Sequence, residues 1–256
     1  EPFDTPKPWA NKYDPEWDGD LLIWPPYAVG GVENGVIDAR QGQHIRANYG
    51  SKLSMIDHWF GKILDEMDNG LWDDTMFILC TDHGHYLGEK DIWGKPRVPQ
   101  YETLGHTPLM IAAPGIAAGE IDSLTTNVDI HATLAELFGV ESEHMTHGKS
   151  LLPLTMPVPS MPGLRLPNPD RRAYLDFMPG SDVPVIRQPF QQGDMLPFWA
   201  MGPRVDDHHL YSIVNDPDEI ENRVGDPDEK RMLELLHTAL TEVEAPEEQF
   251  VRLGLA

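Results

Sequence analysis

Thr75-Met76-Phe77-Ile78-Leu79-Cys80-Thr81-Asp82-His83-Gly84 is a short apolar run that breaks at once into an acid, an imidazole and a glycine. Its length suits a strand better than a helix, and the lack of polar alternation reads as a strand buried on both faces. Upstream, Ile45, Tyr49, Leu53, Ile56, Phe60, Ile63, Leu64 and Met67 fall at steps of three and four. That period predicts one amphipathic helix from His44 to Asn69, with Gly70 as its stop. A long helix feeding a buried strand points to the α/β class.

Working outward, Pro108 to Ala112 reads as a second strand ending at Pro114-Gly115. Asp129 stands where an N-cap belongs, ahead of Ile130, Leu134, Leu137 and Phe138, with Gly139 as the stop. Residues 1–40 are rich in Pro, Gly, Trp and Asp and read as a long loop region packed on the body. Residues 152–170 are proline-dense and read as a crossing segment. Beyond them Arg172–Phe177 and His208–Val214 resemble strands, Asn215-Asp216-Pro217-Asp218 a turn, and Asp226-Pro227 the start of a last helix. The expected division is a catalytic α/β part over 1–170 and a small α+β subdomain over 171–256, with a short antiparallel sheet and a terminal helix.

Acidic residues outnumber basic ones by 42 to 19 in 256, a formal charge of −23. Such a surface repels nucleic acid and anionic membranes, so neither is expected as a partner. No run of about 18 apolar residues is present to span a bilayer. The single cysteine, Cys80, excludes an intramolecular disulfide and reads as a buried strand thiol.

Chemistry concentrates in Thr81 to Lys95. In open α/β sheets ligands bind beyond the carboxyl ends of strands, which is where Asp82 and His83 fall. A carboxylate beside an imidazole can hold a divalent cation, and Gly84 allows a sharp turn or a close approach. The same Asp-His-Gly also serves as an ordinary structural turn, and Lys95 taken alone is an ordinary surface lysine.

Four segments in order resemble the sulfatase family of the alkaline phosphatase superfamily. They are Tyr49 to Asp57 with Asp74-Thr75 and the strand into Thr81-Asp82-His83-Gly84; Leu87-Gly88-Glu89 through Trp93-Gly94-Lys95 and Tyr101-Glu102 to Pro114-Gly115; Val128 to Leu134 with Gly148 to Leu154; and Leu210-Tyr211 through Asn215-Asp216-Pro217 and Glu219 to Asn222. Glu1-Pro2-Phe3 is similar to a segment that the family places just after an active-site histidine.

The resemblance implies the C-terminal part of an alkaline-phosphatase-like sheet with flanking helices, and a hydrolase of sulfate esters. It implies Asp82 and His83 as ligands of a divalent metal, Ca²⁺ above all, with Mg²⁺ or Mn²⁺ left open by the histidine. Lys95 matches the lysine that contacts the sulfate, and His85 and His106 are candidates to line the pocket. The family's nucleophile is a formylglycine made from the central residue of a C/S-x-P/A-x-R motif, and no such motif occurs here. The expectation is therefore an incomplete site whose nucleophile and remaining ligands lie in a missing N-terminal part. A phosphate or phosphonate monoester hydrolase of the same superfamily, and a non-catalytic metal- or anion-binding half-sulfatase, are the alternatives.

Overall fold

A computed structural model describes residues 2–95 apart from 21 and 23, residues 101–141 apart from 122 and 124, residues 146–152, the backbone of 185–187, residues 209–252, and residue 255. Helix α1 spans Ala39–Met67. It starts five residues before the apolar period because Asp38 and Gln41 form a reciprocal capping box: the Asp38 carboxylate accepts the Gln41 N–H (2.8 Å) and the Gln41 side chain accepts the Asp38 N–H (3.0 Å). It stops at Met67, and Gly70 follows in the left-handed region at φ 100°.

The apolar stripe expected on α1 divides in two. Ile45 and Met67 are buried, but Leu53, Ile56 and Ile63 are exposed, as is Trp59. The buried face near the start is made instead of Gly42, His44, Ile45, Asn48 and Ser51. The small and polar residues of this set let the opening loop approach closely, with Trp17 stacked on His44 at 3.9 Å.

Strand β1 is Ala28–Val29, β2 Phe77–Cys80, β3 Tyr86–Leu87, β4 Ile92–Gly94 and β5 Leu109–Ala112. β2 pairs antiparallel with β5, Phe77 opposite Ala112 and Cys80 opposite Leu109. The double burial expected of β2 is not found: Phe77 to Leu79 are half-buried, and Cys80 is exposed rather than a buried thiol. The cause is that β2 and β5 stand as a two-stranded sheet among the described residues, so its faces are only partly covered. The other three strands form a second antiparallel sheet in the order β1-β4-β3.

Two clusters make the core around this second sheet. Phe3, Ile37, Ile45 and Trp93 pack together, so the opening loops lie on the body as expected. Tyr86, Ile92, Tyr101, Leu104 and Tyr211 form the other cluster. Helix α2 is the single turn Glu102–Gly105, and α3 spans Asn127–Leu137. Asp129 is not the N-cap of α3. Thr126 holds that place, and Asp129 is the third helical residue, its carboxylate accepting the Thr126 N–H (2.8 Å) in a capping box. Gly139 ends α3 at φ 63°.

Farther on, β6 (Val185–Arg187) pairs antiparallel with β7 (His209–Tyr211). Helices α4 (Asp228–Glu242) and α5 (Glu247–Arg252) follow, and Met232 of α4 packs on Leu210. The expected strand His208–Val214 is thus the shorter β7. The proline-dense stretch and the expected strand Arg172–Phe177 lie outside the described residues. The fold is of the α/β class, with helices set against small sheets. No helix among the described residues is long and apolar enough to cross a membrane.

Candidate active site

The chain leaves β2 at Cys80 and turns through Thr81-Asp82-His83-Gly84 before entering β3. Asn127, at the first position of α3, clamps this exit: its side-chain amide donates to the carbonyls of Thr81 (3.1 Å) and Asp82 (2.9 Å). On the other side Gly84 donates its N–H to the carbonyl of Leu104 (2.7 Å). A Cβ at Gly84 would lie 1.9 Å from the carbonyl oxygen of Thr103, so only glycine lets the turn sit against α2. The freedom read from the sequence is used for approach to a backbone.

Within this cradle His83 Nδ1–H donates to the carbonyl of Gly84 (2.8 Å). A neutral ring so fixed carries a bare lone pair on Nε2. That nitrogen lies 3.3 Å from Asp82 Oδ2 and 3.3 Å from Lys95 Nζ, which donates to it. Lys95 arrives there because β3 and β4 form a hairpin, Tyr86 opposite Gly94, which folds the chain back beside its own start. Partial burial raises the pKa of Asp82, but the neighbouring His83, the N–H groups of His83 and Asp82 and the Thr81 hydroxyl outweigh it, and the carboxyl ends below its ordinary 3.8. Asp82 is therefore an exposed carboxylate at neutral pH.

His85 is set apart by its neighbours. Its half-buried ring packs against Phe3 (5.2 Å), Tyr49 (6.0 Å) and Tyr27 (6.3 Å). The opening segment thus reaches the loop through the contact of Phe3 with His85, two residues after His83. His106 is exposed just after α2, where its Nδ1–H donates to Glu102 (3.0 Å). Asn127 went unread in the sequence because its work is a pair of backbone contacts across 45 residues or more, which no local pattern encodes.

The sulfatase family model matches residues 2–140. The chain belongs to the sulfatase family. It is 38% identical over 113 residues to a choline-sulfatase of Rhizobium meliloti, covering 43% of this chain and 22% of that protein. It is 30% identical over 162 residues to arylsulfatase K of Bos taurus, covering 59% of this chain and 30% of that one. Among solved structures it is similar to the phosphonate monoester hydrolase of Agrobacterium radiobacter, with a TM-score of 0.60 at 20% identity, over 95% of this chain and 54% of that one. That likeness shows a shared fold. The sulfatase chain thus spans less than a third of these curated relatives and about half of the solved structure.

The residues present fit a divalent cation in part. Two ligands each about 2.3 Å from one ion and at right angles stand about 3.3 Å apart, the spacing of Asp82 and His83. In the neutral form of His83 two lone pairs face each other at that distance and need positive charge between or beside them, which Lys95 supplies here. No group of three or more His, Cys, Asp or Glu able to hold a metal occurs among the described residues. The pair is thus a fraction of the six to eight oxygens Ca²⁺ takes, or of the roughly octahedral set around Mg²⁺.

Proposed function

We propose that the protein containing this chain hydrolyses sulfate monoesters, with Asp82 and His83 as part of a divalent-metal site and Lys95 on the sulfate. The observation that supports this is the convergence of Asp82, His83 and Lys95 within 3.3 Å contacts at the end of β2. A bound Ca²⁺, or Mg²⁺ or Mn²⁺ in its place, supplies Lewis-acid polarisation of an anionic substrate. Around it, the Asp82 carboxylate brings negative charge and the His83 lone pair a neutral donor, oriented by the Gly84 carbonyl. The Lys95 ammonium offsets charge that grows on the sulfuryl oxygens and leaving group as the ester bond breaks.

The nucleophile and the remaining ligands would come from sequence outside these 256 residues, in the same polypeptide or a second chain. Two observations support that reading. The formylglycine motif is absent from the chain, and Leu53, Ile56, Trp59, Ile63 and Met110 leave apolar surface uncovered on α1 and β5.

The test is an assay of the full-length protein on 4-nitrophenyl sulfate, a phosphate monoester and a phenylphosphonate monoester, before and after chelation. Sulfate turnover that chelation abolishes and Ca²⁺ restores is the expected result. Phosphonate or phosphate turnover in its place would move the assignment to the superfamily's other hydrolases. Metal binding without turnover of any ester would make it a binding protein.

A further inference from the structure

The segment Asn215 to Asn222 stands out in the sequence, and the catalytic reading leaves it without a role. Its own geometry is built from within. The Asp216 carboxylate accepts the N–H groups of Ile220 (3.0 Å) and Glu221 (2.8 Å), which closes a turn and holds Glu219 at φ 52°. A non-glycine residue in that left-handed region is disfavoured unless its surroundings impose it. Glu219 is only 2% exposed, and its carboxylate accepts the N–H of Glu102 (2.8 Å) at the start of α2.

α2 is the element against which the Asp82–His83 turn rests. Gly84 bonds the Leu104 carbonyl and has no room for a Cβ against Thr103. The same block is tied from the hairpin that carries Lys95. Lys90, between β3 and β4, donates to the carbonyl of Asp218 (2.8 Å) and to that of Glu219, with its ammonium 4.6 Å from the Tyr101 ring. Tyr101 in turn donates its N–H to the Tyr86 hydroxyl (2.9 Å) at the start of β3. One buried residue, about 120 positions downstream, thus meets both supports of the site: its carboxylate takes the N–H of Glu102 on the α2 turn, and its backbone carbonyl takes the hairpin's Lys90.

We propose that Glu219 is a positioning residue: through α2 and Gly84 it holds Asp82 and His83 in register with Lys95. The proposal rests on the sulfatase reading of that trio. Its test uses the full-length enzyme with Glu219→Met, which keeps the volume and removes the acceptor, and Glu219→Gln, which keeps an oxygen for the Glu102 N–H. Amide exchange is followed in the peptide over residues 81–87, with α4 as an internal control, alongside kcat and KM for a sulfate ester.

Glu219→Met should speed exchange in the 81–87 peptide roughly tenfold or more and leave α4 unchanged, since a buried hydrogen bond is lost locally. It should lower kcat by about tenfold or more with little change in KM, and Glu219→Gln should restore both. Unchanged exchange over 81–87, or faster exchange with unchanged kcat, overturns the proposal. If Glu219→Met unfolds the chain, which fast exchange in α4 reports, the same two readings in Glu102→Pro decide, since proline is tolerated at the first position of a helix and removes the N–H that Glu219 accepts. A wild-type enzyme inert toward sulfate esters would remove the functional reading alone, and exchange would still decide whether Glu219 braces the turn.

Discussion

At the scale of single residues, the site depends on how few atoms stand between its parts. Lys95 is exposed and its ammonium donates to His83, so its removal disturbs chemistry more than packing. Lys95→Ala in the full-length protein should lower kcat/KM by about 10²–10³ and leave Tm nearly unchanged. Equal kcat/KM in the variant would remove the role given to this lysine. Gly84 is the opposite case. Gly84→Ala forces a methyl into the Thr103 carbonyl, 1.9 Å away, and backbone cannot swing aside as a side chain can. The expected loss is about 3 kcal/mol of stability, read by chemical denaturation, with loss of metal affinity. A variant as stable as the parent would show that the turn and α2 are not in the close contact described.

Elements come next, and the most informative joint is that of the opening loop with α1. Arg40 forms two hydrogen bonds to Asp14 (2.6 and 2.7 Å), and buried His44 donates Nδ1–H to the same carboxylate (2.8 Å) while its Nε2 accepts from Asn48 (3.0 Å). The Arg40 bond lowers the pKa of Asp14, partial burial opposes it, and the His44 bond adds to the lowering, so the carboxyl titrates at about 2 in place of 3.8. A carboxylate with a depressed folded pKa stabilises the fold above its unfolded value, and that contribution is lost as pH falls through the folded one. The acid limb of a stability profile should therefore steepen between about 4 and 2 in the parent and be shallower in Asp14→Asn. Superimposable acid limbs would show that loop and helix are held by stacking of Trp17 on His44 without help from the ion pair.

Over the whole molecule, the distribution of apolar surface is the leading feature. Leu53, Ile56, Trp59 and Ile63 run along α1 at helical spacing and are each about half exposed, and Met110 on β5 and Phe138 beyond α3 add to them. Isolated surface leucines are ordinary, but a row of this length supports the proposal that sequence outside these residues covers the face. Residues 1–256 prepared alone should bind a hydrophobic dye and self-associate at micromolar concentration, and the full-length protein should do neither. Equal dye binding by the two would mean the row stays open to solvent in the full-length protein.

What the sequence by itself determined were the features with a local cause. The 3.6-residue period gave α1 to within a few residues at each end, and the apolar runs gave β2 and β5, because periodicity and run length are set by neighbours along the chain. Asp82, His83 and Lys95 were legible as candidates through their place at a strand end and their likeness to a family. Tertiary structure alone decided which face of α1 is buried, since that depends on what packs there: a loop bearing Trp17 covers His44, and Ile56 is left in solvent. It also decided that Cys80 is exposed, that Asp129 completes a cap begun by Thr126, and that Glu219 reaches the N–H of Glu102. Of these only the cap had a local signature, Thr126 three residues before Asp129. The others join atoms far apart in the chain, and a contact made across a loop leaves no period in the sequence to read.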